Sequence, residues 1–315
     1  MEITGETPVA VYIAFLVYLV ASIVVILLAV IKAKMTRKLS ERTAFVFLGL
    51  ATFLTILPVL FIIIYTFIKG GSAISWDFLT QFPSQAGKAG GILPAIVGTI
   101  YLMVGTLVFT LPIGVLAGIY LNEYARNNWL IRLINLAIAN LSGVPSIVFG
   151  LFGLSMFALL FNFGLSLLSA SLTLAAQALA MVITTSREAL LAVPREYSEG
   201  SLAIGATRWQ TIRHIVLPQA FPGIITGAVL AISRAAGETA PILVVGAAFL
   251  IPKLPQSPFD QFMALPYHLY TVSAHVPNMP KDIIWGVALV LLTVVLSFDI
   301  IAAIIRIKTR QRKYL

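Results

Sequence analysis

No cysteine occurs among the 315 residues, which excludes disulfides and thiolate metal sites and leaves the redox compartment unread. Charge is almost as scarce. Asp, Glu, Lys and Arg make up 10% of the chain, against the roughly 25% that a soluble domain spends on facing water. No GxxxxGK(S/T) phosphate loop is present: the only Gly-Lys pair, Gly87-Lys88, continues with Ala89. By that motif the chain cannot hold its own nucleotide. There is no repeat of fixed period and no Ser- or Pro-rich linker to separate domains. No catalytic constellation, metal site or cofactor site is read, and the chain is not expected to be an enzyme.

What the chain has in quantity is apolar length. It is 59% hydrophobic, with a mean hydropathy of +0.99. Lipid is the solvent such a composition suits. A helix crossing ~30 Å of hydrocarbon needs about 20 apolar residues, and seven segments qualify: roughly 9–31, 44–68, 92–121, 133–160, 165–185, 220–251 and 283–305. The run from Val9 to Ile31 is too long for a signal-peptide core and follows Glu2 and Glu6 where a signal peptide would be basic, so it is read as a retained span. Between Arg132 and Arg187 no charge occurs, a distance of about 80 Å as one helix. The chain must fold back there, around Asn162 to Gly164. The expected fold is all-α, a polytopic bundle of about seven spans.

Orientation follows from the basic residues, which are retained on the cytoplasmic side. The segments 32–43, 122–132, 187–218 and 306–315 carry most of the Lys and Arg, while Lys69, Lys88, Lys253 and Lys281 fall on the other side. Seven spans with the N-terminus outside and the C-terminus cytoplasmic put all four basic segments on one face. The net charge of +9 is thereby read as a topology signal, and nucleic acid is not expected as a partner. Two outer connections, 69–91 and 252–282, exceed what a turn needs; the second is read either as a loop lying on the headgroups or as a docking surface.

The most ordered polar stretch is Val193 to Pro222. Pro194 suits the first turn of a helix and Gly205 the residue just past its end. Thr207 and Gln210 have capping-box spacing, which starts a second short helix with Trp209, Ile212 and Ile215 on one side. Pro218 disfavours helix at Leu217, so that helix is expected to stop there. The spacing of Glu199, Gly205, Ile215 and Leu217-Pro218 resembles EAA-x3-G-x9-I-x-LP, the signature loop of binding-protein-dependent ABC importer permeases. Gly200 and Ser201 stand where that pattern has alanines; both are small, so tight packing is expected to survive. The resemblance implies that Glu199, Gly200, Ser201, Gly205, Ala206, Thr207, Ile215, Leu217 and Pro218, within a loop 187–219, couple the spans to a cytoplasmic ATPase.

Three ionisable residues fall within spans: Arg234, Glu238 and Asp299. Each costs on the order of 3 kcal/mol at a helix centre on insertion scales, so they invite a functional reading. Arg234 and Glu238 are four apart and can pair on one face. Pro241 cannot donate to the Gly237 carbonyl, so a kink is expected beside them. The pair is read either as a packing device or as an anion site, since a guanidinium offers planar donors to an oxyanion. Asp299 is read as a carboxylate reaching the interface.

The run Ser233 to Pro241 resembles the RAxGETAP segment of phosphate-specific transporter permeases of the PstA type. Gly114 to Tyr124, Gly143 to Gly153 and Ala264 to Tyr270 fit the same family. The resemblance begins near Thr43 and covers six spans, so residues 1–42 are an extra N-terminal span with a basic linker, and 43–315 the permease domain. It implies import of inorganic phosphate across a prokaryotic plasma membrane, with Arg234, Glu238 and Thr239 on the substrate path. It also implies two copies of a PstB-type ATPase, a second permease of PstC type and an external phosphate-binding protein of PstS type. Another oxyanion (molybdate, sulfate or phosphonate) and a secondary anion carrier are the competing readings.

Overall fold

The computed structural model describes residues 40–126 and 128–311, which excludes the expected span 9–31. The chain divides after Gly71 into two compact units. In the first, one helix, α1 (Ser40–Gly71), carries Pro58 inside it. Its length and apolar character suit a membrane crossing.

The second unit begins with a short helix, α2 (Trp76–Thr80), and a two-stranded antiparallel hairpin, β1 (Pro83–Ser84) and β2 (Ala89–Gly90). Two long helices follow as its centre, α3 (Leu93–Ile119) and, after an intervening bent pair, α6 (Leu167–Leu191). Their close contact follows from small residues. A Cβ at Gly114 would lie 2.6 Å from Val182 Cγ1, and one at Gly118 would lie 2.9 Å from Ser186 Cβ. Gly114 and Gly118 thus form a small-xxx-small face that lets the two backbones approach, which in lipid replaces the hydrophobic drive available in water.

Expected span 133–160 is in fact two helices, α4 (Trp129–Leu141) and α5 (Ser146–Gly153, continued by a π turn to Leu160), bent by 108°. Ser142 to Pro145 makes the break: Pro145 has no N–H and opens α5 from an extended conformation, φ −57° and ψ 138°. The fold-back at 162–164 is where it was expected. Asn162 and Gly164 adopt left-handed φ of 57° and 67°, and Ser166 then caps α6 by accepting from Ser169 N.

The coupling stretch contains α7 (Arg195–Ala203) and α8 (Arg208–Thr211), which runs through a π turn, Ile212–Val216, directly into α9 (Leu217–Gly237). The expected stop at Leu217 does not occur. Pro218 sits in the first turn of α9 after the π turn, where the wider ring has already released the i→i−4 pattern that a proline would break. Arg208–Gly237 is therefore one span of 30 residues. It ends at Gly237, earlier than the expected limit of 251, and a separate one-turn helix, α10 (Ala240–Leu243), follows.

Residues 244–264 depart furthest from the sequence reading. Val245, Phe262, Met263 and Ala264 are fully buried, and the N–H groups of Ser166, Leu167 and Leu168 donate to Val245 O, Asp260 O and Pro258 O at 3.1, 2.9 and 2.7 Å. The excursion satisfies the open N-terminus of α6. Leu265, first residue of α11 (Leu265–Ala274), donates its N–H to Thr99 Oγ1 on α3 at 2.8 Å. Within the 252–282 connection Phe262 to Leu265 are core, while Lys253, Pro258 and Phe259 stay exposed. The last helix, α12 (Lys281–Gln311), packs along α9.

Candidate functional site

Two places hold the sequence-derived residues. At the first, α9 ends as Gly237 gives way to Glu238, whose ψ of 123° leaves the helical region. The expected kink is a complete break, with Pro241 in the first turn of α10. Arg234, in the last turn of α9, faces Glu238 with Nε 3.5 Å from Oε1. That is longer than the roughly 2.7–2.9 Å of a charge-assisted hydrogen bond, so the attraction is loose. The Arg234 side chain is 68% exposed and that of Glu238 19%.

The pair lies between two recesses. One, of about 50 Å³, is lined by Ser142, Gln177, Arg234 and Glu238 together with apolar side chains such as Leu174 and Met181. The other is an open groove between α9 and α12, bordered by Ser233, Arg234, Gly237, Glu238 and Asp299. Asp299 borders the same groove as Arg234. Thr239 is not brought in: its side chain makes no cap for α10, and it lines neither recess.

Gln177 is the residue the sequence reading missed. Its Nε2 donates to Glu238 Oε1 at 3.0 Å, across from α6 to the end of α9. The one glutamine in a 54-residue uncharged run was the available signal.

At the second place, α7 closes in a Schellman turn. Ala206 N donates to Ser201 O at 3.2 Å and Gly205 N to Leu202 O at 3.0 Å, with Gly205 at φ +92°. Thr207 opens α8 with the expected capping box: Gln210 N donates to Thr207 Oγ1 at 3.3 Å, and Thr207 N to Gln210 Oε1 at 2.8 Å. Pro194 stands one residue before the first turn of α7. Ser201 is buried and shares a hydrogen bond with Thr211 at 2.9 Å, so smallness matters there. At Gly200 it does not, because a methyl group added there would have nothing within 4 Å. Trp209 is exposed while Ile212 is buried, so the two do not share a face as expected. Ile215 joins Gly205 and Ala206 along a shallow recess.

At the tip, Ile204 is 87% exposed, with Glu199 and Gly200 also on the surface. Ile204 lies at the turn between α7 and α8, beside the signature positions Gly205 and Ala206. The sequence reading missed it by counting only the signature positions.

A bundle of long apolar helices, a polar break inside it and a protruding helical hairpin define a multi-pass membrane permease. Residues 110–311 match the family described as binding-protein-dependent transport system inner membrane component, and the chain belongs to that family. It is 32% identical over 250 residues to the probable ABC transporter permease protein YqgI of Bacillus subtilis (strain 168), covering 78% of this chain and 85% of the relative. Identity is also 32% over 284 residues to the phosphate transport system permease protein PstA 1 of Mycobacterium tuberculosis (strain ATCC 25618 / H37Rv), with coverage of 88% and 91%. To the probable phosphate transport system permease protein PstA of Methanocaldococcus jannaschii it is 33% over 267 residues, with coverage of 85% and 94%. The fold is shared with the inward-facing MetNI methionine ABC transporter, at TM-score 0.56 and 19% identity over 69% of this chain and 97% of that one. It is shared equally with a bacterial alginate ABC transporter, at TM-score 0.56 and 18% identity over 87% and 99%.

Proposed function

We propose that this chain carries inorganic phosphate into the cytoplasm as one of two permease subunits of an ATP-driven importer. The observation that carries the substrate reading is Arg234: an exposed guanidinium at the break between α9 and α10, with Glu238 as a loose counter-ion. When the path is empty, Glu238 neutralises Arg234. An arriving oxyanion competes for the planar N–H donors, and the carboxylates of Glu238 and Asp299 keep its stay short. Weak, exchangeable binding is what a conduction path requires. The names of the Mycobacterium and Methanocaldococcus relatives support phosphate over other oxyanions.

ATP hydrolysis belongs to a separate ATPase dimer, and delivery to an external phosphate-binding protein. The Ile204 tip and Glu199 meet the ATPase, with the hairpin on the cytoplasmic side and Lys253 and Lys281 outside. On this reading the second permease faces the groove between α9 and α12.

The test is radiolabelled phosphate uptake by proteoliposomes holding the whole transporter and supplied with loaded binding protein. The double variant Arg234→Met with Glu238→Gln is expected to assemble and hydrolyse ATP while moving little phosphate. Uptake close to that of the unaltered complex would remove Arg234 from the path.

A further inference from the structure

The two arms of the bent pair are held very differently. α5 is pressed into the bundle: a Cβ at Gly150 would lie 3.0 Å from the Pro241 backbone on α10, and one at Gly153 would collide with Thr173 on α6. α4 has no buried residue and packs mainly along α6. Its half-buried positions are Ile131, Ile134, Asn135, Ile138 and Leu141, whose spacing of three and four puts them on one face. Asn135 is the polar exception in that aliphatic row. Its Oδ1 accepts from Arg187 Nη1 at 3.2 Å, a bond that ties α4 to α6. In lipid an apolar face alone holds a helix weakly, because acyl chains solvate it as well as protein does, so the polar contact matters most.

The far end of α4 walls the Arg234 recess, to which Leu141, Ser142 and Val144 contribute. Ser142 to Pro145 is also the break at which the chain turns by 108°, between a fixed arm and a loosely held one. That is where a hinge belongs. The bond to Arg187 is the restraint on the free arm, and it is easily left: its length is at the long end for N–H···O, and Arg187 Nε stays shut off from solvent without a partner. Resting on the reading of Arg234 as part of the substrate path, we propose that α4 is a movable wall of the recess and that Asn135 is the positioning residue that keeps it closed, through Arg187. With the bond made, Leu141 and Ser142 stand against the recess. With it broken, α4 swings about 142–145 and opens the recess along the flank of α6, toward the α7–α8 hairpin.

The chain has no cysteine, so Ala178→Cys, at a buried position lining the recess, gives the subunit a single thiol. The whole transporter bearing it, in inside-out membrane vesicles without nucleotide, is treated with a lipid-impermeant methanethiosulfonate, and modification of this subunit is followed by mass. The otherwise unaltered form is expected to react slowly. Arg187→Met and Asn135→Leu remove the bond from either side and should each speed the reaction roughly tenfold, one hydrogen bond to a charged group being worth about that. Asn135→Asp sets a carboxylate against the guanidinium and should slow the reaction below the starting rate. A bond that only helps the chain fold would lower the yield of assembled complex and leave the rate of the assembled fraction unchanged. Such unchanged rates in all three variants would overturn the movable wall. Asn135→Asp keeps the contact and serves if the other two assemble poorly; a rate at or above the starting one would then overturn the proposal. Labelling does not involve Arg234, so the two readings fail separately. Phosphate uptake indifferent to Arg234 would remove the path and leave the wall, whereas unaltered labelling would remove the wall and leave the path.

Discussion

Arg234→Lys isolates geometry from charge at the pair. An ammonium keeps the positive charge and loses the planar fork, so uptake should fall part of the way toward that of the Met variant, with ATPase activity retained. Uptake measured on the same proteoliposomes checks it, and activity equal to the arginine form would mean that charge alone suffices. A different residue reports on the packing of α11. His268 on α11 is 1% exposed and stacks on Phe249 with ring centroids 5.5 Å apart. Burial lowers its pKa from 6.5 to about 4, partly opposed by a backbone hydrogen bond at Phe249. The unfolded chain then binds the extra proton between those two values. Its contribution to stability is whole above pH 6.5 and falls as the pH drops toward 4. By pH 5 the loss should be on the order of 2 kcal/mol, at about 1.4 kcal/mol per unit. Thermal unfolding of the purified complex at pH 7.5 and 5 should show this acid sensitivity diminished in His268→Gln. Equal acid sensitivity in both would place the cause elsewhere.

Among elements, the α7–α8 hairpin was the most legible in the sequence. Gly205, Thr207 and Gln210 each have one local reason for their position, and local reasons survive into the fold: the positive φ and the reciprocal capping bonds are as expected. The α9 boundary was not legible, because a proline reads as a stop unless the preceding turn has already widened, and nothing in Ile212 to Val216 announces a π turn. The burial of Phe262 to Ala264 was equally hidden, as was the service of the Pro258 and Asp260 carbonyls to α6, nearly a hundred residues earlier in the chain, a pairing no periodicity encodes. Gln177 shares that problem, since its meaning lies in a partner 61 residues away. For the hairpin the forecast is functional. Gly205→Pro cannot adopt the left-handed turn, Glu199→Lys reverses a surface charge, and Ile204→Asp replaces the apolar tip. Each should leave the chain inserted and abolish stimulation of the ATPase by loaded binding protein. Stimulated hydrolysis at the unaltered rate in all three would mean that the hairpin is not the coupling contact.

For the whole molecule, the family match begins at residue 110 and the sequence resemblance near Thr43, both well after residues 1–35. Removing 1–35 should preserve transport, because Lys38 and Arg42 remain to orient the next span. Co-purification with the second permease and phosphate uptake by the truncated form check this, and failure to assemble would give the first segment a structural duty. The unbroken course of Arg208–Gly237 has a mechanical consequence. With no stop at Leu217, the hairpin and Arg234 lie at two ends of one continuous helical segment, about 39 Å long if straight at 1.5 Å per residue, with the π turn at Ile212–Val216 and Pro222 as the places where it can bend. A tilt of about 5° at the hairpin would swing the guanidinium by roughly 3 Å, comparable to the helix shifts by which small movements open and close protein interfaces. If the hairpin meets the ATPase as proposed, such a segment needs no relay of side chains to reach Arg234: leverage alone would steer it.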